Sequence, residues 1–168
     1  MKAATGMSAA AGATVLVLGA ALFLGPLESV NQPLVFSHSK HTEDLGLPCT
    51  TCHLYAETGT RATIPNIEVC GMCHTAPLTD FPEEARLVEH IQAGEPIPWS
   101  KVYWIPDHVF FSHRRHTSVA EIGCETCHGD VGGRATPLTK RLVKISMDRC
   151  MDCHWATGAS NDCISCHR

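Results

Sequence analysis

The ten cysteines of this 168-residue chain form five pairs of one spacing, and histidine follows each pair directly. Cys-x-x-Cys-His is the attachment pattern of c-type haem: two thiols a short turn apart add to the vinyl groups on one porphyrin edge, and the histidine binds the iron. Five such motifs predict five covalently bound haems. The attachment residues are Cys49, Cys52, Cys70, Cys73, Cys124, Cys127, Cys150, Cys153, Cys163 and Cys166.

Zinc knuckles and CxxC redox pairs also use paired cysteines. Neither explains why histidine follows the second cysteine in all five motifs, so haem is the better interpretation. The proximal iron ligands predicted by the pattern are His53, His74, His128, His154 and His167.

The motifs belong to an internal duplication. The segment FSHSKHTEDLGLPCTTCH, residues 36–53, aligns without a gap with FSHRRHTSVAEIGCETCH, residues 111–128. Each copy is followed by one more motif, which gives two modules, 36–74 and 111–154, and a terminal haem site at 163–167. A two-haem unit has therefore been repeated.

Each repeat carries two further histidines, His38 with His41 and His113 with His116. Their i,i+3 spacing places each pair on one face of a helical turn, where one imidazole can bind the haem of its own module and the other a neighbouring haem. Solvated surface histidines would not need to recur in register. We therefore expect these four to be distal ligands.

A fifth distal ligand is needed, and more than one residue could supply it. Met147, three residues before Cys150, is the first choice, and a thioether opposite histidine would raise that haem's potential. Met147 could instead only pack on a porphyrin. His108 is the second choice, and His90 is expected to be exposed or hydrogen-bonded. If none reaches the iron, one haem is five-coordinate.

The predicted fold is mostly irregular with short α-helices. Asp80 as an N-cap, Pro82 in the first turn and Gly94 at the end predict one amphipathic helix near 81–93. No alternation is long enough for a sheet. About 140 residues must serve five sites, so the haems themselves would form the core of a multihaem cytochrome c domain at 29–168.

Residues 1–28 contain a long apolar run with Lys2 as the only charge before Glu28. The run predicts an N-terminal transmembrane helix, with a cleaved signal as the alternative; no convincing A-x-A site follows it. Under either interpretation, the chain after residue 28 is exported to the periplasmic or outer face of the cell membrane. The balance of 13 Lys+Arg against 17 Asp+Glu gives no basic stripe for nucleic acid.

The FxHxxH segment before CxxCH resembles the cytochrome c3/c7 class. Over nearly the whole chain, five further features resemble the pentahaem subunit of alternative complex III, a membrane quinol-oxidising complex. They are the anchor, QPLVFSH at 32–38, GEPIPW at 94–99, PDHVFFSH at 106–113, and a Met three residues before a late CxxCH. The resemblance implies as partners an iron-sulfur/molybdopterin-like subunit, polytopic quinol-binding subunits and a monohaem cytochrome c. It also implies His-Met ligation by Met147.

The predicted function is electron transfer from quinol through five low-spin haems to a periplasmic cytochrome c or copper protein, in a complex and without catalysis by this chain alone. A stand-alone membrane-anchored quinol dehydrogenase is an alternative, but the apolar segment offers no polar residue for a quinol pocket. A multihaem reductase is a further alternative. It needs an open iron, often at a CxxCK motif, and every motif here ends in histidine.

Overall fold

A computed structural model describes residues 29–167. Its α-helices are α1 (Cys49–Cys52), α2 (Ile67–Cys70), α3 (Pro82–Ala93), α4 (Glu125–His128), α5 (Met147–Thr157) and α6 (Cys163–Cys166), and it has two π-helical turns, Lys40–Asp44 and Arg115–Val119. Between residues 29 and 167 there is no strand, only an isolated antiparallel bridge from Val109 to His167. The prediction of short helices in a mostly irregular chain is confirmed.

The predicted N-terminal anchor, residues 1–28, lies outside the described residues. Within the described range, no helix combines the length and the apolar character that a membrane crossing requires.

Single helical turns shape four of the five haem-attachment motifs, and the fourth motif lies within the longer helix α5. In the first motif the His53 backbone N–H donates to the Cys49 carbonyl at 2.9 Å, and His74, His128 and His167 make the same bond in their own motifs at 3.0, 3.0 and 2.8 Å. This bond closes one turn around the two cysteines and the histidine. Both thiols and the imidazole are thus held within one short, locally determined unit.

Helix α3 matches the predicted helix near 81–93. Pro82 occupies its first turn, and Gly94 ends it in the left-handed conformation, φ 67°, which glycine adopts without steric cost. The expected N-cap at Asp80 is wrong. Phe81 is the N-cap residue and makes no side-chain cap bond; the hydroxyl of Thr79 accepts instead from the Phe81 N–H.

The two modules exchange equivalent hydrogen bonds. Ser39 N–H donates to the Arg134 carbonyl at 3.0 Å, and its repeat counterpart, Arg114 N–H, donates to the Gly59 carbonyl at 2.9 Å. Both donors and both acceptors are related by the same shift of 75 residues. Each FSHxxH segment therefore lies against the loop that follows the other module's first CxxCH, which is the contact pattern of a pseudo-two-fold pair.

Few apolar side chains of residues 29–167 are buried: Leu34, Ala56, Val88 and Ile97. Two of them lie beside the α2–α3 pair. The Asn66 side chain bonds both the N–H and the carbonyl of Ile97, at 2.7 and 3.0 Å, and so fixes the extended 94–98 segment against α2. The polypeptide part of the core is small and local.

Candidate functional site

A phenylalanine orients both histidines of each FSHxxH segment. Phe36 lies edge-on to His38, with ring centroids 4.8 Å apart, and stacks on His41 at 4.7 Å. Phe111 repeats both contacts, each at 4.8 Å, with His113 and His116. The π-helical turns that begin within these segments are backbone features often found at functional sites. The duplication thus preserves the orientation of both imidazoles.

The structure brings four pairs of imidazoles together, and each pair joins one motif histidine to a histidine from elsewhere. The ring centroids are 6.2 Å apart for His41–His74, 6.4 Å for His113–His128, 6.2 Å for His116–His154 and 5.6 Å for His108–His167. Two imidazoles on opposite sides of one iron have centroids about 6 Å apart, because each iron–nitrogen bond is about 2 Å and each centroid lies about 1 Å further out.

Hydrogen bonds at Nδ1 fix the tautomer of six of the motif and repeat histidines. A carbonyl oxygen or an ionised carboxylate can only accept, so Nδ1 carries the proton and Nε2 keeps its lone pair. This is the usual second contact of a metal-binding histidine. The pairs, at 2.7–3.1 Å, are His41 with Ser37 O, His53 with Thr63 O, His74 with Glu84 Oε1, His113 with Thr60 O, His116 with Ser112 O and His154 with Ser160 O.

The remaining motif histidine, His53, lies close enough to His38 to affect its charge. Burial first, then the charge of His53 and that of His41, lower the pKa of His38 to about 4, so its imidazole is neutral at neutral pH. Its Nδ1 is buried without a hydrogen-bond partner among the described residues. The repeat gives the reason for expecting a pair: His113 and His128 hold the corresponding positions in the second module.

The two candidates for the fifth distal ligand, His108 and Met147, differ in their surroundings. The His108 ring lies parallel to that of His167 within 19°, and the bridge between Val109 and His167 holds the two segments together. Met147 begins helix α5 and is 60% exposed. His90 is hydrogen-bonded to the Glu95 carbonyl at 3.1 Å.

Residues of this kind and spacing fit covalent haem, and the sequence comparisons agree. The model of a family described as cytochrome c7 and related cytochrome c matches residues 34–91 and 109–168. The chain belongs to this cytochrome c family. It is also 34% identical over 164 residues to the protein named menaquinone reductase, multiheme cytochrome c subunit, of Nitratidesulfovibrio vulgaris Hildenborough, covering 82% of this chain and 77% of the relative. Membership implies covalently bound c-type haem.

The cysteines of this cytochrome are all free of disulfides. Burial is the main cause that raises the pKa of Cys52, Cys70 and Cys127. A reactive CxxC redox pair requires the opposite shift, because the thiolate is the nucleophile. The raised pKa of these three thiols disfavours the thiolate that redox exchange requires.

After the larger effect of burial, the pKa of Cys52, Cys124, Cys127 and Cys150 is also raised by a nearby thiol of another motif. Cys49 and Cys124 are also hydrogen-bonded to each other. The interacting thiols are Cys73 with Cys52, Cys49 with Cys124, Cys153 with Cys127, and Cys166 with Cys150. Each motif thus neighbours one or two others in a single series.

Glu84 was not predicted as a site residue. Its carboxylate accepts from His74 Nδ1 at 2.8 Å, from the N–H of Leu78 and of Thr79, each at 2.9 Å, and from the Thr79 hydroxyl at 2.5 Å. These bonds, with that of Thr79 first, lower the pKa of Glu84 to about 2. In the sequence Glu84 reads as an ordinary first-turn acid of a helix, so only the fold reveals its contact with an imidazole.

Proposed function

We propose that this cytochrome holds five haems, each between two histidines, and transfers electrons within a membrane quinone-linked complex. Each haem site is named after the histidine of its CxxCH motif, so the His74 site is the one at Cys70 and Cys73. The observation that carries the proposal is the pairing of imidazoles at a common separation of 5.6–6.4 Å. Four pairs have this separation: His41–His74, His113–His128, His116–His154 and His108–His167. The fifth pair would be His38–His53, which hold the repeat positions of His113 and His128.

Aromatic packing alone also produces ring pairs at such separations. Two features favour ligation over packing. Each pair contains one histidine of a CxxCH motif, and the Nδ1 bonds leave Nε2 as the nitrogen with a free lone pair. Chance packing would not select motif histidines in every pair.

When bound, the haems would supply irons that gain and lose one electron, and the paired histidines would hold each iron from both sides. The protein contributes rigid ligands, because backbone carbonyls and the two phenylalanines hold the imidazoles in place. With two histidines at each iron, no position remains for substrate. We therefore favour electron transfer over a catalytic reductase, and this chain would not be an enzyme by itself.

The neighbouring thiols give the sites an order: His74, His53, His128, His154, His167. Hydrogen bonds support two of the junctions. Cys49 meets Cys124 at the pseudo-two-fold contact, and Arg149 donates to the Thr126 carbonyl at 2.7 Å. We infer an unbranched series whose ends are the His74 and His167 sites.

The relative's name and the motif resemblance both connect such a cytochrome to quinone. They imply opposite directions of electron flow. We propose quinol oxidation, with electrons passing to a periplasmic cytochrome c or copper protein through the partners implied by alternative complex III. The second candidate is menaquinone reduction, which the name of the relative favours. In either case we propose an N-terminal membrane anchor and a haem domain on the outer face.

The test begins with the intact complex from mild-detergent-solubilised native membranes. We expect five haems per chain by mass spectrometry, all low-spin by electron paramagnetic resonance, and co-purifying subunits. A menaquinol analogue should reduce the haems faster than a menaquinone analogue reoxidises them; the reverse ratio would support the reductase direction. Recovery as a lone soluble cytochrome, or a lone membrane-bound one active with quinol, would contradict the complex.

A further inference from the structure

One of the six Nδ1 bonds differs chemically from the others. His74 donates to a carboxylate, Glu84, at 2.8 Å, whereas the other five imidazoles donate to backbone carbonyls. Its counterpart in the second module, His154, donates to the Ser160 carbonyl at 2.7 Å. The position equivalent to Glu84, ten residues after the motif histidine, is Ile164. The duplication therefore kept the ligand and changed its partner.

The Glu84 carboxylate is held in place and kept ionised. It is 8% exposed and accepts from three donors besides His74: two backbone N–H groups and the Thr79 hydroxyl. It also lies in the first turn of α3, where the helix dipole favours negative charge. A carboxylate with this many donors carries a full negative charge beside the imidazole at neutral pH.

We propose that Glu84 is a positioning residue that lowers the midpoint potential of the haem bound at Cys70 and Cys73. The proposal rests on the ligation of that iron by His74. A carboxylate that accepts the Nδ1 proton makes the imidazole a more basic ligand and gives it imidazolate character. Both this effect and the negative charge stabilise ferric over ferrous iron. A backbone carbonyl in the same place would do so less.

A purely structural role for Glu84 is the competing explanation, because the same carboxylate fixes the loop between His74 and α3. Glu84→Gln separates the two roles. Its amide oxygen has the same reach and can still accept from the loop donors, but it carries no charge. Glu83→Gln is the matched control: Glu83 lies in the same turn and bonds Val35 N–H and Arg86, not a histidine.

The experiment is a spectropotentiometric titration of the full-chain holoprotein, resolved into five one-electron components. In Glu84→Gln we expect one component to favour the reduced form about tenfold more, a rise of about 59 mV, with the other four little changed. Glu83→Gln should leave the same component near its wild-type value. The low-spin signal of one haem should change with it.

Unchanged potentials in a Glu84→Gln protein with five low-spin haems would overturn the role of Glu84, as would an equal rise in Glu83→Gln. Fewer than five low-spin haems in the wild type would instead overturn the ligation scheme. If Glu84→Gln loses haem, Thr79→Val decides. Removing this donor leaves the carboxylate more basic toward His74, so the same component should fall, and a constant or raised value would overturn the proposal.

Discussion

Replacing His108 by alanine should leave one haem without its distal ligand. The His108 ring lies 5.6 Å from that of His167, and the backbone around it is anchored independently of the side chain. Val109 N–H donates to the Pro106 carbonyl at 2.9 Å, and Phe110 N–H donates to the Cys166 carbonyl at 2.7 Å. Because these bonds survive in His108→Ala, the change removes a ligand and keeps the site's shape.

The expected magnitude follows from the number of sites. One motif in five loses its sixth ligand, so about one fifth of the ferric haem should become high-spin. The assay integrates the high-spin signal in electron paramagnetic resonance against total haem from the pyridine haemochrome. Met147→Leu is the control, because that side chain is 60% exposed and its removal should produce no high-spin haem.

Two results would refute the assignment of His108. His108→Ala could remain wholly low-spin, which would mean that another group binds the iron of the His167 site. Met147→Leu could instead produce the one-fifth high-spin fraction, which would restore the thioether ligand expected from the sequence. The double variant should match His108→Ala alone if Met147 is no ligand.

The polypeptide produced without haem attachment should fail to fold, since only four apolar side chains in residues 29–167 are buried; a compact, protease-resistant apoprotein would contradict this. Gly94→Ala should cost about 1 kcal/mol of unfolding free energy, because φ is 67° there, whereas Gly123→Ala, with open space and no positive φ, should cost little in the same guanidinium titration. Glu83 accepts hydrogen bonds from Val35 N–H and from Arg86, and these bonds lower its pKa. Its contribution to the free energy of unfolding is therefore present above the ordinary glutamate pKa and is lost as pH falls through the lowered value. The melting-temperature gap between wild type and Glu83→Gln should therefore be largest above the ordinary glutamate pKa of about 4.3 and shrink as pH falls below it, and a gap that stays constant in acid would exclude these bonds as its cause.

Local features were readable from the sequence because their causes are local. The helix near 81–93 follows from Pro82 and Gly94, which act through their own backbone preferences. The motif turns likewise depend on residues four apart. The N-cap was misassigned because the Thr79 hydroxyl, not Asp80, accepts from the Phe81 N–H, and Thr79 is held there by Glu84 only once the loop has folded back.

Contacts between residues far apart in the sequence were harder to predict. The repeat predicted which histidines act together, since His38 and His113 occupy equivalent positions, but it assigned no partner to each. The fifth distal ligand stays a prediction, with Met147 and His108 as its candidates. The feature that favours His108 is an isolated bridge joining residues 58 positions apart, Val109 and His167, and no periodicity encodes such a contact.

The duplication also explains why Glu84 matters to electron flow. Two modules related by a pseudo-two-fold axis would give the His74 and His154 sites equal surroundings, and a symmetric series has no preferred direction. The structure departs from symmetry twice: Glu84 replaces a carbonyl at the His74 site, and the His167 site has no counterpart in the first module. If Glu84 lowers the potential at one end, electrons entering at the His74 site move downhill toward His167. The tenfold bias expected from one carboxylate would then set direction without any change in the ligands.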